Sequence, residues 1–145
     1  MAKRYNPNEN NAAAAAALTD QGALIPPQAI ELEEAVLGAL MLEKDAIIEI
    51  QGVLTPEAFY KEAHQTIYKA IMSMELKPID LYTVSEKLRQ TRKLTSVGGA
   101  SYLAQLTQKV GSAAHIEFHS KIIAQKYVQR ELIRAATEIQ KKAYD

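Results

Sequence analysis

Residues 127–145 read YVQRELIRAATEIQKKAYD, a helical pattern with no later segment in the sequence to lean on. Val128, Leu132, Ala135, Ala136, Ile139 and Ala143 recur every three or four positions, so they stack along one side of an α-helix. Burying Val128, Leu132 and Ile139 would contribute roughly 5–9 kcal/mol, at about 1.5–3 kcal/mol each, before ordering costs. A monomer ending at Asp145 offers nothing to cover them. The pattern therefore predicts a pairing surface, centred on Val128, Leu132, Ala136 and Ile139, for a second chain or for a helix that would follow. The alternative is a frayed end whose periodicity is incidental.

Upstream of this stretch, residues 113–145 contain neither Pro nor Gly, so one helix on the order of 45 Å long is expected there. That is more than a small core can cover. The apolar direction also changes along it. Ile116, Ile123 and Tyr127 share one side, with Phe118 and Ile122 on another, so the first half is expected to wedge into a globule and the second half to protrude.

The rest of the composition agrees with helix. The 145 residues are 48% hydrophobic, enough for one real core, with only six Gly, five Pro and no Trp. The abundant Ala, Leu, Ile, Glu, Lys and Gln mostly lose little freedom on a helical surface. The expected class is all-α: a compact multi-helix domain followed by a long protruding helix. The absence of Cys excludes a disulfide framework and a thiolate metal site. The longest apolar run, AVLGALML at 35–42, falls well short of the roughly 20 residues of a membrane span, so a cytoplasmic protein with no membrane partner is expected. Net charge is zero but unevenly spread: residues 30–62 carry eight acids against two bases, and residues 87–109 carry five bases and no acid. Such bipolarity suits docking between proteins better than general polyanion binding, which needs a broad basic footprint.

Three segments are expected. Residues 1–25, with their six-Ala run, form a flexible low-complexity tail. Residues 26–111 form a globular helical domain, and residues 112–145 the long helix. Within the globule, Pro26 and Pro27 open a central helix over about 27–42, where Gly38 leaves room for a neighbour. Asp45 is placed to cap a short helix ending near Gly52. Thr55, with Pro56 after it, is placed to cap a long one carrying Phe59, Ala63, Ile67, Ile71 and Met74 inward. Asp80 caps LYTVSEKLRQ, a turn at Gly98 and Gly99 precedes a helix burying Leu103 and Leu106, and Ser112 caps the last helix.

Catalytic chemistry is mostly missing. No G-x-x-x-x-G-K-[ST] phosphate loop and no G-x-S-x-G elbow occur. His115 and His119 have metal-ligand spacing, but Glu117 lies about 200° around the helix from His115, so a metalloprotease arrangement is incomplete and surface histidines are the expectation. His64 is expected to pack or hydrogen-bond beside Tyr60 and Tyr68. Lys87, Arg89, Arg92 and Lys93 at a helix end complement its negative pole; the alternative is a small nucleic-acid-binding module built on this cluster.

Six stretches, IPPQAIELEEAVLGALML, FYKEAHQTIYKAI, PIDLYTVSEKL, VGGASYLAQL, SAAHIEFHSKII and RELIRAATEI, together resemble the N-terminal domain of the bacterial replicative hexameric DNA helicase of the DnaB type. Gly111 stands where that family commonly has Pro, and His115 where it has Asn. The resemblance implies a non-catalytic domain whose projecting helical hairpin pairs between subunits, with residues 113–145 as its first arm. It also implies a homo-oligomer, a dimer in isolation and a hexameric collar of three dimers in the full-length protein, to which primase docks. Tyr102, Ile133 and Ile139 correspond to primase contacts. ATP, Mg and the DNA passing through the ring belong to a separate motor domain, and no cofactor is expected in this chain.

Overall fold

The computed structural model describes residues 24–75 and 77–145. Nearly all of the expected tail therefore lies outside the described residues. Among them the chain is all-α, with α1 Ile30–Leu42, α2 Ala46–Ile50, a 3-10 turn Pro56–Ala58, α3 Glu62–Met72, α4 Leu81–Gln90, α5 Gly99–Gln108 and α6 Ile116–Tyr144.

The core is built around α1, which begins at Ile30 rather than at the prolines and buries Val36, Leu37, Gly38, Ala39, Leu40 and Met41. A stretch this apolar on all sides can only be stable when surrounded. It packs against α3, α5 and α6. Gly38 makes the contact with α5 possible, because a Cβ there would collide with the Leu106 carbonyl and stand 2.7 Å from Val110 Cγ2. Ile67, Ile71, Val84, Leu88, Leu103 and Leu106 complete the interior as their spacing predicts.

The single helix expected from Thr55 to Met74 is instead two elements. Phe59 and Lys61 are extended, with ψ of 136° and 126°, and α3 restarts at Glu62. The cause is tertiary. Glu33 of α1 accepts the Tyr60 backbone N–H at 2.8 Å and that of Lys61 at 3.3 Å, supplying from another helix the acceptor that the start of α3 needs. Thr55 and Asp45 precede their elements without making a side-chain cap bond. Asp80 does cap α4: its carboxylate accepts the Thr83 N–H at 2.8 Å, and the Thr83 hydroxyl accepts the Asp80 N–H at 3.0 Å.

The turn at Gly98 and Gly99 uses φ of 113° and 76°, a region cheap only for glycine. Ser112 does not start α6, which begins at Ile116 after a connector held by Glu43, the acceptor of the Ala113 N–H at 3.0 Å. From there α6 runs 29 residues, on the order of 43 Å. Its first turns bury Ile116, Ser120 and Ile123 against α1, α2 and the 3-10 turn. Phe118, expected inside, is 63% exposed, because the helix meets the globule along one face and Phe118 lies two residues off it.

Candidate functional site

From Ala124 onward no residue of α6 is buried. Arg130 ties the helix to the globule by donating to the Pro27 carbonyl at 2.9 Å and the Ala58 carbonyl at 2.8 Å, with its guanidinium over the rings of Tyr60 and Tyr127. On the same length of helix, Val128 is 55% exposed, Leu132 64% and Ile139 69%, and Ala136 is exposed beside them. At about 100° per residue these four fall within roughly 80° of arc, one continuous apolar seam. The far side is ionic. Arg134 bridges Glu131 at 2.8 Å and Glu138 at 3.0 Å, and its hydrogen bond holds the Glu131 carboxyl below its usual range. The outer helix is therefore solvated on one side and apolar on the other, the pattern of a surface that buries itself against a partner helix.

A second feature lies inside the globule. His64 is fully buried, with Nδ1 2.8 Å from Glu33 Oε1 and Nε2 2.7 Å from the Tyr102 hydroxyl. Lys61 Nζ donates to that hydroxyl at 3.3 Å and stands 4.8 Å from the ring centre. The hydrogen-bonding role expected for His64 is thus realised, with partners from α1 and α5 rather than from Tyr60 and Tyr68. Of Glu33 and Arg130, only Glu33 carries a signal in the sequence. Glu33 precedes Val36, Leu37 and Leu40 by three, four and seven positions, so an acid stands in register with the core stripe. Arg130 had no such mark, since its partners are backbone carbonyls far away in sequence.

Residues 25–125 match the family described as DnaB-like helicase N terminal domain. The chain belongs to that family. It is 46% identical over 131 residues to the replicative DNA helicase DnaB of Rhodothermus marinus, covering 89% of this chain and 14% of that protein. It is 43% identical over 122 residues to the DnaB of Geobacillus stearothermophilus, covering 83% of this chain and 27% of that protein. The chain thus spans about a quarter or less of the length of these curated relatives. The crystal structure of the N-terminal domain of DnaB helicase from Mycobacterium tuberculosis superposes with a TM-score of 0.81 at 37% identity, covering 83% of this chain and 85% of that one.

The DnaB-type positions expected to contact primase are not gathered into one patch within a single chain. Tyr102 is half-buried on α5, which packs on α1 and α4 and has no extensive contact with α6. Ile133 and Ile139 stand on outer α6, six residues and therefore about 120° apart, so Ile139 shares the seam and Ile133 does not. Among the described residues, no group of three or more His, Cys, Asp or Glu comes together to hold a metal. His115 stands just outside α6, its ring centre 6.2 Å from that of His119. In the basic cluster, Arg89 pairs with Glu86, while Arg92 adopts a φ of 60° just past the end of α4. The Arg92 and Lys93 N–H groups close on the Arg89 and Leu88 carbonyls, so the cluster terminates a helix. No helix among the described residues is long and apolar enough to cross a membrane.

Proposed function

We propose that this chain is the non-catalytic N-terminal assembly and primase-docking domain of a replicative hexameric DNA helicase. Residues 26–111 form the head and residues 112–145 the first arm of a hairpin. Two copies pair through Val128, Leu132, Ala136 and Ile139, and three such dimers build the collar of the full-length hexamer. Primase docks on a surface that includes Tyr102, Ile133 and Ile139. ATP with Mg, and the unwinding of DNA, belong to a motor domain outside this chain, and the whole works in the cytoplasm at the replication fork.

The observation that carries this reading is the exposed seam on outer α6 in a chain of this family. Oligomer formation, in which each copy covers the other's seam, is the cheapest way to remove that surface from water. Sedimentation equilibrium over a concentration series tests it. Dimers or higher species are expected, and an ideal monomer throughout would refute the assembly role. Titration with single- and double-stranded DNA at two salt concentrations tests the competing module: tight, salt-steep binding by this chain alone would shift the reading to Lys87, Arg89, Arg92 and Lys93.

A further inference from the structure

The polar network under Tyr102 has one arrangement that satisfies every contact with an ionised Glu33 and a neutral His64. Backbone N–H groups only donate, so the Glu33 oxygens facing Tyr60 N and Lys61 N are acceptors. With Glu33 ionised, the short contact from its Oε1 to His64 Nδ1 at 2.8 Å requires a proton on Nδ1. In the neutral ring of this arrangement, Nε2, 2.7 Å from the Tyr102 hydroxyl, is the nitrogen left to accept the phenol proton. An ammonium likewise only donates, so Lys61 fills the outward side of the phenol oxygen. In this arrangement the bonds run from Lys61 to Tyr102 to His64 to Glu33, and the contacts tie α5, the head of α3 and α1 together.

We propose that Glu33 and His64 are positioning residues for Tyr102: the relay turns the phenol proton inward and fixes the ring, so that a docking protein meets an aromatic surface beside the Lys61 ammonium. This rests on the docking role proposed above for Tyr102. The hydroxyl is held 2.7 Å from Nε2, so the ring cannot swing away without breaking that bond, and the imidazole and phenol planes lie within 2° of parallel with centres 6.1 Å apart. Lys109, which pairs with Glu34 on α1, adds a second cation close by. An aromatic face flanked by cations suits a primase surface that offers an apolar side chain next to a carboxylate.

Nitrogen NMR of His64 in this chain reads the relay directly. A proton on Nδ1 with Nε2 as acceptor is expected, and either the opposite tautomer or a doubly protonated ring would overturn the proposal. Calorimetry with the helicase-binding domain of the cognate primase reads its consequence. His64→Gln should weaken binding roughly three- to tenfold, the weight of one lost hydrogen bond, and Tyr102→Ala should weaken it further. The double variant should bind no worse than Tyr102→Ala alone, because His64 acts only through that ring. Additive losses overturn the positioning role. So does unchanged affinity in His64→Gln when Tyr102→Ala is impaired, an outcome that leaves the docking role standing. Unchanged affinity in Tyr102→Ala removes the docking role itself. Should His64→Gln fail to fold, Tyr102→Phe keeps the ring and loses the bond; the same three- to tenfold loss is expected, and none would overturn the relay.

Discussion

Replacing both Leu132 and Ile139 with Glu should abolish self-association while leaving the fold intact. Leu132 is 64% exposed and Ile139 69%, so about two thirds of each side chain remains to be buried by a partner. Full burial of such a side chain is worth about 1.5–3 kcal/mol, which leaves about 1–2 kcal/mol for each. A two-fold dimer presents both residues twice, so about 4–8 kcal/mol of association rests on them. Each 1.4 kcal/mol is a factor of ten, and the carboxylates add repulsion across the seam, so the dissociation constant should rise by roughly a thousandfold or more. Sedimentation equilibrium measures the shift, and far-UV circular dichroism checks that helix content is kept, since Glu and Leu have similar helix propensities. Association equal to that of the unaltered chain would refute the seam as the pairing surface. Loss of helix in the variant monomer would show that these residues are packed against their own globule.

Three further outcomes follow from the interior. Gly38→Ala should destabilise the chain by about 1–3 kcal/mol in urea unfolding, because the new methyl meets the Leu106 carbonyl and Val110; an unchanged midpoint would mean that α1 and α5 are not in close contact. Burial pushes the Tyr68 hydroxyl, which donates to the Leu54 carbonyl at 3.0 Å, up to about 12. The folded state thus holds the phenol proton more tightly than the unfolded chain near pH 10, so stability is full below pH 10 and falls by about 2–3 kcal/mol as pH rises to 12. Tyr68→Phe should flatten that fall, and an unaltered slope would exclude Tyr68 as its source. Arg130→Ala should cost about 2–3 kcal/mol through two charge-assisted hydrogen bonds. Arg130→Lys should recover at most about half, since one ammonium lacks the planar fork that spans two carbonyls; full recovery would contradict the bidentate geometry.

The sequence alone determined what local spacing can carry. Three- and four-residue recurrence placed the helices, Asp80 marked the cap of α4, Gly38 marked a close approach by a neighbour, and spacing alone drew the stripe of Val128, Leu132, Ala136 and Ile139. These features depend on neighbours within about two turns, and such neighbours are written next to one another in the chain. Tertiary structure decided the rest. Glu33 divided an expected helix in two by capping α3 from 27 residues away, Glu43 delayed α6 by accepting the Ala113 N–H across 70 residues, and Arg130 found backbone carbonyls up to 103 residues away. His64, Tyr102 and Lys61 became one relay only when α1, α3 and α5 packed together. The physical reason is the same in each case: a buried donor or acceptor must be satisfied by whatever the fold brings within about 3 Å, and no local periodicity records which distant group that is.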